Sequence, residues 1–290
     1  MKLRALLASL ATVAMSQAPA SSAAVQATTD RAAGLLELRA PPSRAVYLRP
    51  LAFEMGSTKE EVQSAFERCK REPLPERCDE TSFDNETPVH PERVAGFWIS
   101  RTEVTVAEYR RCVAVGRCRP AAFEGGAARF AKPSFPVTLV TFDDARRYCA
   151  FRGGRLPTEA EFERAARGPA RRTYPWGNNY HRKLSNHGRA GVDTSNDSDG
   201  FAELAPVGSF PDGATPEGIL DLAGNAAEWT ADAFTSTYGA TPLSERVVRG
   251  GSFVSGAAHV RGAARTGKAP ETREPALGFR CVWQVRPLRE

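Results

Sequence analysis

The spacing of hydrophobic and polar residues predicts three short amphipathic helices. In each, an acidic residue stands three positions after a threonine, so that the two side chains can accept hydrogen bonds from free N–H groups of the first turn. Apolar residues then recur at helical spacing, and a glycine suited to the left-handed conformation past a helix end follows. The residues are Thr105, Glu108 and Gly116; Thr141, Asp144 and Gly153; and Thr158, Glu161 and Gly168.

Three shorter apolar runs, bounded by turn residues, predict β-strands at residues 96–99, 136–140 and 246–249. No internal repeat is visible, and 24 glycines and 21 prolines are spread along the chain. Long regular elements are therefore not expected. The pattern as a whole predicts an irregular, loop-rich α+β fold.

The start of the chain has the pattern of a secretory signal peptide. Lys2 and Arg4 precede a short apolar run that is followed by small residues. The run is shorter than the about 20 apolar residues that span a bilayer, which favours cleavage near Ala18 or Ala24 over an anchor helix. We expect a signal peptide at residues 1–24, a linker or loosely attached first strand at 25–50, and the folded domain at 51–290. The expected location is secreted or periplasmic.

Composition and charge are those of one globular domain. Of 290 residues, 41% are hydrophobic and 25% charged, which excludes a fibrous or disordered chain. The formal net charge is only +5, and the basic residues are scattered along the sequence, which argues against nucleic-acid or membrane-surface binding. No later apolar stretch is long enough to span a membrane. We expect a monomer whose partner is an unidentified peptide, protein or small molecule.

The six cysteines predict disulfides, because their number is even and the expected compartment is oxidising. Their spacing fits neither a zinc nor a redox motif, and the four histidines have no metal-ligand spacing, so a metal site is the lesser alternative. The first two cysteines are expected in a polar, proline-containing loop. Several connectivities are possible, and the simplest has the pairs Cys69–Cys78, Cys112–Cys118 and Cys149–Cys281.

Two segments concentrate the oxygen ligands that calcium prefers. Residues 193–200 form an acidic turn, although Pro206 stands where an EF-hand would have its bidentate glutamate. In the second segment, Asp221 and Glu228 flank a turn at Gly224 and Asn225. The alternatives are a solvated acidic turn for the first and a tight turn with a helix-capping acid for the second.

Ser252, Ser255 and His259 follow a pair of glycines, Gly250 and Gly251, and could suggest a serine hydrolase. The segment lacks the Gly-x-Ser-x-Gly spacing that such a nucleophile needs. The paired glycines more simply indicate a backbone that lies close to its neighbours.

Collinear blocks from about residue 51 to residue 283 together resemble the formylglycine-generating enzyme family, also called sulfatase-modifying factors. The blocks in order are Met55–Ser57, Glu86–His90, Phe97–Ile99, Glu103–Thr105, Pro136–Val137, Gly154–Glu163, Tyr174–Asn178, Pro206–Gly208, Gly224–Trp229, Arg249–Phe253 and Gly278–Arg280. The resemblance implies a single compact domain related to the C-type lectin fold, with little regular secondary structure.

The resemblance also implies two structural calcium ions and a family disulfide that corresponds to Cys149–Cys281. Hard oxygen ligands at the matching positions support both ions. The implied first set is the side chains of Asn186 and Asp199 with the backbone oxygens of His187 and Phe201. The implied second set is the side chains of Asp221 and Glu228 with the backbone oxygens of Gly224 and Ala226.

The sequence departs from the family at the catalytic centre. Members that oxidise a substrate cysteine to formylglycine hold copper with two cysteines, but Ser255 stands at the first position and the second has no counterpart. Ala227 and Ala276 replace a supporting tryptophan and asparagine, whereas Ser252 and Arg265 are retained. A hydroxyl cannot replace a soft thiolate ligand of Cu(I), so copper is not expected.

We therefore expect an exported domain without copper-dependent oxidase activity that acts in binding or recognition. Its candidate cleft is formed by Ser252, Ser255, His259 and Arg265. The alternative is an oxidoreductase with non-haem metal chemistry on a peptide or small molecule, since the family resemblance extends to iron sulfoxide synthases and siderophore-tailoring enzymes. A passive structural module is the remaining possibility.

Overall fold

The computed structural model describes residues 36–37, 44–72, 75–123, 125–188 and 197–287, so the predicted signal peptide lies outside it. Within these residues the α-helices are α1 (Lys59–Lys70), α2 (Val106–Ala114), α3 (Phe142–Phe151) and α4 (Glu159–Arg167). The strands are β1 (Leu36–Glu37), β2 (Ala45–Leu48), β3 (Leu51–Met55), β4 (His90–Val94), β5 (Phe97–Ser100), β6 (Ala227–Ala233), β7 (Arg246–Arg249), β8 (Arg265–Lys268), β9 (Leu277–Gly278), β10 (Val282–Gln284) and β11 (Arg286–Pro287).

The three predicted helices are confirmed as α2, α3 and α4, and each begins with the predicted pair of side chains. At α2, for example, the Glu108 N–H donates to Thr105 Oγ1 over 3.2 Å, and the Thr105 N–H donates to the Glu108 carboxylate over 2.9 Å. The glycines that follow the three helices all have positive φ. Local side-chain chemistry therefore sets these helix boundaries.

Helix α1 was not predicted, although it begins with the same signature at Thr58 and Glu61. The sequence also has an apolar stripe at helical spacing, formed by Val62, Ala65, Phe66 and Cys69, of which only Ala65 and Cys69 are fully buried. The expected loop position of Cys69 is wrong, because this residue lies in the last turn of α1. This stripe packs in a small cluster with Phe83, and the bridge from Cys69 to Cys78 joins the end of the helix to the following segment.

Most strands belong to three small sheets. Antiparallel β5 lies between β2 and β10, β3 pairs with β4, and the largest sheet has the order β8-β7-β6-β9. Strands β5 and β7 confirm the predictions at 96–99 and 246–249. Strand β2 pairs with β5 along its whole length and lies within the segment 25–50, for which a linker or a loosely attached first strand was expected. Separately, β1 pairs with β11.

The strand predicted at residues 136–140 is wrong. Pro136 forms an isolated bridge with Thr105, and Leu139 has a φ of +59°, which interrupts an extended backbone. Val137 and Val140 are nevertheless completely buried. The apolar run therefore reflects core packing in an irregular segment, which periodicity alone cannot distinguish from a short strand.

Two hydrophobic clusters form most of the core. In the first, α2 and α3 pack through the stacked rings of Tyr109 and Tyr148 and meet Phe279 and Trp229 from the opposite side. The second joins Phe162 of α4 to the strands on the other side of the molecule. Short helices, small sheets and extensive loops around these clusters confirm the α+β, loop-rich fold.

All six cysteines are bridged in the predicted pattern, as Cys69–Cys78, Cys112–Cys118 and Cys149–Cys281. The third bridge joins α3 to the residue before β10 across 132 positions of the chain, and both of its cysteines are buried. It therefore closes the first core cluster, whereas the second bridge links residues only 6 positions apart.

We predict that the double variant Cys149→Ser/Cys281→Ser loses about 5 kcal/mol of unfolding free energy, because the bridge removes much chain entropy from the unfolded state. The matched variant Cys112→Ser/Cys118→Ser removes a bridge that closes a far shorter loop. It should therefore lose only about 2 kcal/mol of unfolding free energy. Denaturant unfolding of the three proteins measures both values. Equal losses would show that loop length does not decide the contribution of these bridges.

Candidate functional site

The four residues predicted to form a site, Ser252, Ser255, His259 and Arg265, all line one cleft of about 370 Å³. The cleft lies where the loop after β7 meets β8 and the segment that leads into β9. The structure therefore brings the four residues together, although their role in binding stays a prediction.

The two glycines after β7 hold this loop in place. Gly250 and Gly251 have φ values of +87° and +64°, which favour glycine. A Cβ on Gly251 would lie 2.7 Å from the carbonyl oxygen of His259. The predicted close approach of the backbone is confirmed, and it sets where Ser252 enters the cleft.

The serines are bonded to their own loop. The Ser252 N–H donates to Ser255 Oγ over 3.0 Å, and the two hydroxyl oxygens are 3.4 Å apart. The ring of His259 packs against Phe83 at a centroid distance of 5.1 Å. Burial, followed by the nearby Arg261 guanidinium, lowers the pKa of His259 below its usual 6.5. The histidine is neutral at neutral pH, and no described hydrogen bond joins its ring to either serine.

Arg265 belongs to a buried ionic network and not to a free binding site. Its guanidinium bonds both oxygens of Glu159 over 2.7 and 3.0 Å and is stacked on Tyr238. Arg249, at the end of β7, also bonds Glu159, over 2.9 Å, and reaches Glu163 over 2.7 Å. These contacts fix the cleft wall to α4, so Arg265 is a positioning residue.

Several residues of the cleft were not found by sequence reasoning. At the outer end, Lys268 and Glu274 form an ion pair of 2.7 Å, with side chains 35% and 41% exposed. Cys69 of the first disulfide also reaches the cleft. Ala227 and Ala276, which replace larger family residues, line it as well. Only the two alanines had a signal in the sequence, through the family pattern.

The first predicted calcium set is partly assembled. Asp199 accepts hydrogen bonds from the N–H groups of His187 and Phe201, each over 3.1 Å, and Arg182 approaches it to 3.5 Å. The buried Asn186 amide donates to the carbonyl oxygen of Glu203 over 2.8 Å. Burial raises the pKa of Asp199. Residues 193–196 of the acidic turn lie outside the described residues.

The second predicted set contains a surplus of buried negative charge. Asp221 and Glu228 lie with Glu103 around one cation, Arg280, whose guanidinium bonds both oxygens of Glu228 over 2.7 Å. Burial raises the pKa of all three carboxyl groups. Oε2 of Glu103 is buried and accepts no hydrogen bond from an N–H group, and its neighbour is the carboxyl group of Asp221, with which a protonated Glu103 can form a hydrogen bond. Sequence reasoning did not include Glu103 in this set, although it lies in the family-like segment Glu103–Thr105.

Asn225 connects the two predicted calcium sets. Its Oδ1 accepts from the Asn186 amide over 3.1 Å, and its own amide donates to Glu103 Oε1 over 3.0 Å. The turn depends on Gly224, where a Cβ would clash with the carbonyl oxygen of Asn186. The Gly-Asn turn therefore positions both sets of oxygen ligands.

These residues fit a hard cation better than a soft or redox-active one. Carboxylate, amide and carbonyl oxygens are calcium ligands, and the three buried carboxyl groups outnumber the single guanidinium of Arg280, so a further cation beside them would favour their ionised forms. Glu228 is less available, because Arg280 already occupies both of its oxygens. Among the described residues no group of three or more His, Cys, Asp or Glu side chains is arranged to hold a metal by itself, so both predicted calcium sets depend on amide and backbone oxygens as well.

The fold and the site define a loop-rich α+β domain with a cleft held by disulfides and buried ion pairs. The chain belongs to the family of the sulfatase-modifying factor enzyme 1-like domain, which matches residues 42–285.

Curated relatives carry different activities in their names. The chain is 41% identical to inactive C-alpha-formylglycine-generating enzyme 2 of Bos taurus over 52% of this chain and 51% of that protein. It is 32% identical to formylglycine-generating enzyme of Streptomyces coelicolor over 69% of this chain and 82% of that protein. Hercynine oxygenase of Mycolicibacterium thermoresistibile is 31% identical over 70% of this chain and 54% of that protein. The chain spans about half the length of the first of these relatives.

Among solved structures, PvdO from Pseudomonas aeruginosa is similar with a TM-score of 0.65 and 26% sequence identity. The match covers 84% of this chain and 94% of that chain. The similarity extends over nearly the whole described domain and supports the same fold.

Proposed function

We propose that this protein is an exported recognition domain of the formylglycine-generating enzyme type that binds a peptide, protein or small molecule in the cleft at Ser252. The observation that carries the proposal is that no cysteine thiol is free to bind copper. All six cysteines are in disulfides, and a hydroxyl, that of Ser255, stands at the position of the first family copper ligand. The cleft thus offers hydrogen-bonding groups but no thiolate for Cu(I).

The relatives named inactive support this proposal, since the first of them is 41% identical to the chain. The cleft is also suited to binding. Small side chains, including Ala227 and Ala276, leave its space open, and Ser252, Ser255 and the ion pair of Lys268 provide polar contacts. A half-exposed ion pair contributes little stability, so a ligand can open it at small cost.

Export is supported by the six bridged cysteines, because disulfides persist mainly in oxidising compartments. No helix in the described parts of the chain is both long and apolar enough to cross a membrane.

We predict no aldehyde product when the oxidised protein is incubated with Cu(I) and a Cys-x-Pro-x-Arg peptide. Mass spectrometry of the peptide detects conversion of cysteine to formylglycine, and an active formylglycine-generating enzyme is the positive control. Product above a control without protein would refute the absence of oxidase chemistry. The same result would not contradict the fold or the disulfide pattern.

Two structural calcium ions are a second part of the proposal, at the sets around Asp199 and Asp221. Calcium would neutralise carboxylates that burial leaves short of positive charge, chiefly Glu103 and Asp221. Each ion would tie distant loop segments together. A ligand that binds only the native state stabilises it by RT ln(1 + [L]/Kd).

We predict that EDTA lowers the melting temperature of the wild-type protein and that calcium restores it. Asp221→Asn should lose most of this calcium response, because it removes one hard, charged ligand with little change in volume. Asp144→Asn is the matched control: it weakens the first turn of α3 and should lower the melting temperature but keep the calcium response. An unchanged wild-type melting temperature in EDTA would contradict the calcium assignment.

A second candidate function is an oxidoreductase with a different metal, which the similarity to hercynine oxygenase favours. Such an enzyme would need a resident redox metal. Of the four histidines, His187 is buried, His90 and His259 are half-buried and His181 is exposed, and none belongs to a group of His, Cys, Asp or Glu side chains arranged to hold a metal within the described ranges. The four histidines thus lie apart from one another, and metal analysis of the purified protein distinguishes the two candidates.

A further inference from the structure

The fold gathers exposed arginines on one face of the paired helices α2 and α3. The helices run in opposite directions: Arg119, just after α2, bonds Asp143 and Asp144 in the first turn of α3. The start of α2 meets the end of α3, where Glu108 and Arg152 line the same small depression. The pair therefore presents one continuous outer surface.

Six exposed arginines lie on the two helices or just after α2, three of them around Asp143, and we call these six the arginine face. They are Arg110, Arg111, Arg117, Arg119, Arg146 and Arg147. The basic residues are scattered along the sequence, but the fold brings together two segments about 30 positions apart that carry these six.

The acids of the two helices do not neutralise the arginine face. The Asp143 carboxylate forms ion pairs with Arg119, Arg146 and Arg147, at 3.4, 2.7 and 2.6 Å. Asp144 is fully buried and also forms an ion pair with Arg273. The carboxylate of Glu108 caps Thr105. Six arginines against these three acids leave a surplus of three positive charges. Arg110, Arg111 and Arg117 form no ion pair with any described residue.

Two large apolar side chains are exposed on the same helix pair. Phe151 is 42% exposed in the last turn of α3, and Val115 is 62% exposed at the end of α2. In the described chain only two other large hydrophobic residues, Tyr47 and Leu243, are comparably exposed. Positive charge and exposed apolar groups thus coincide on one face.

We propose that the arginine face binds the surface of a bilayer that contains anionic phospholipids. One guanidinium group can donate two parallel hydrogen bonds to one phosphate group. A negatively charged leaflet also attracts each nearby arginine. Phe151 would enter the boundary between head groups and acyl chains, where an aromatic side chain gains from leaving water. A nucleic acid would satisfy the arginines but would give Val115 no apolar environment, which is why a lipid surface fits better. This peripheral contact is independent of the ligand cleft.

The test is sedimentation of the full chain with vesicles of phosphatidylcholine alone or of phosphatidylcholine mixed with phosphatidylglycerol. We expect binding to the mixed vesicles only, with lower affinity at higher salt because exposed charges are screened. The triple variant Arg110→Gln/Arg111→Gln/Arg117→Gln should bind the mixed vesicles roughly 100-fold more weakly. It removes only exposed arginines without ion pairs and should keep the wild-type melting temperature.

The matched control is Arg49→Gln/Arg71→Gln/Arg93→Gln, which removes three exposed arginines elsewhere and changes the net charge equally. It should keep near-wild-type affinity for the mixed vesicles. Equal losses in the two triple variants would overturn the proposal, because net charge and not the arginine face would then control binding. Failure of the wild-type protein to distinguish the two kinds of vesicle would overturn it as well.

Phe151→Ser separates a lipid surface from a soluble polyanion. It should weaken vesicle binding by roughly tenfold, because one partly buried aromatic contact is lost. Unchanged affinity would contradict insertion into lipid. Tighter binding of the wild-type protein to short duplex DNA than to the mixed vesicles, measured at the same salt concentration, would overturn the lipid proposal in favour of nucleic acid.

Discussion

The cleft keeps its shape because Arg249 is completely buried between Glu159 and Glu163 of α4. The same guanidinium donates to the carbonyl oxygens of Gly262 and Ala263, so one side chain fixes α4, β7 and the loop that leads to β8. Removing one partner of such a buried pair typically costs about 3–5 kcal/mol, since a buried charge is left uncompensated. Because the fold has few long helices and no wide sheet, buried ion pairs such as these hold its segments together.

The local structure was predictable to the extent that it depends on neighbouring residues. Thr141 with Asp144 shows this, because both groups of the signature lie within one helical turn. Helix α1 was missed although Thr58 and Glu61 carry the same signature and apolar residues follow at helical spacing, so its local signal was sufficient. The segment 136–140 was misassigned because a buried irregular segment and a buried strand have the same apolar composition.

The site was predictable only through the family pattern, and only in part. That pattern identified Ser252 and Ser255, which lie close together in the sequence. The pairing of Lys268 with Glu274 and the position of Glu103 beside Asp221 depend on how distant segments fold together. Sequence periodicity holds no information about contacts between distant segments. The charged groups that meet in the cleft and on the helix pair could therefore not be predicted from it.

The central claim is that a family scaffold is preserved while its copper chemistry is absent. Element analysis of the purified, disulfide-bonded protein by mass spectrometry tests this most directly. We predict calcium and less than stoichiometric copper or iron, because the oxygen-rich sets around Asp199 and Asp221 suit hard cations and no free thiol remains. One equivalent of copper or iron bound per chain would contradict the account and would favour a redox enzyme.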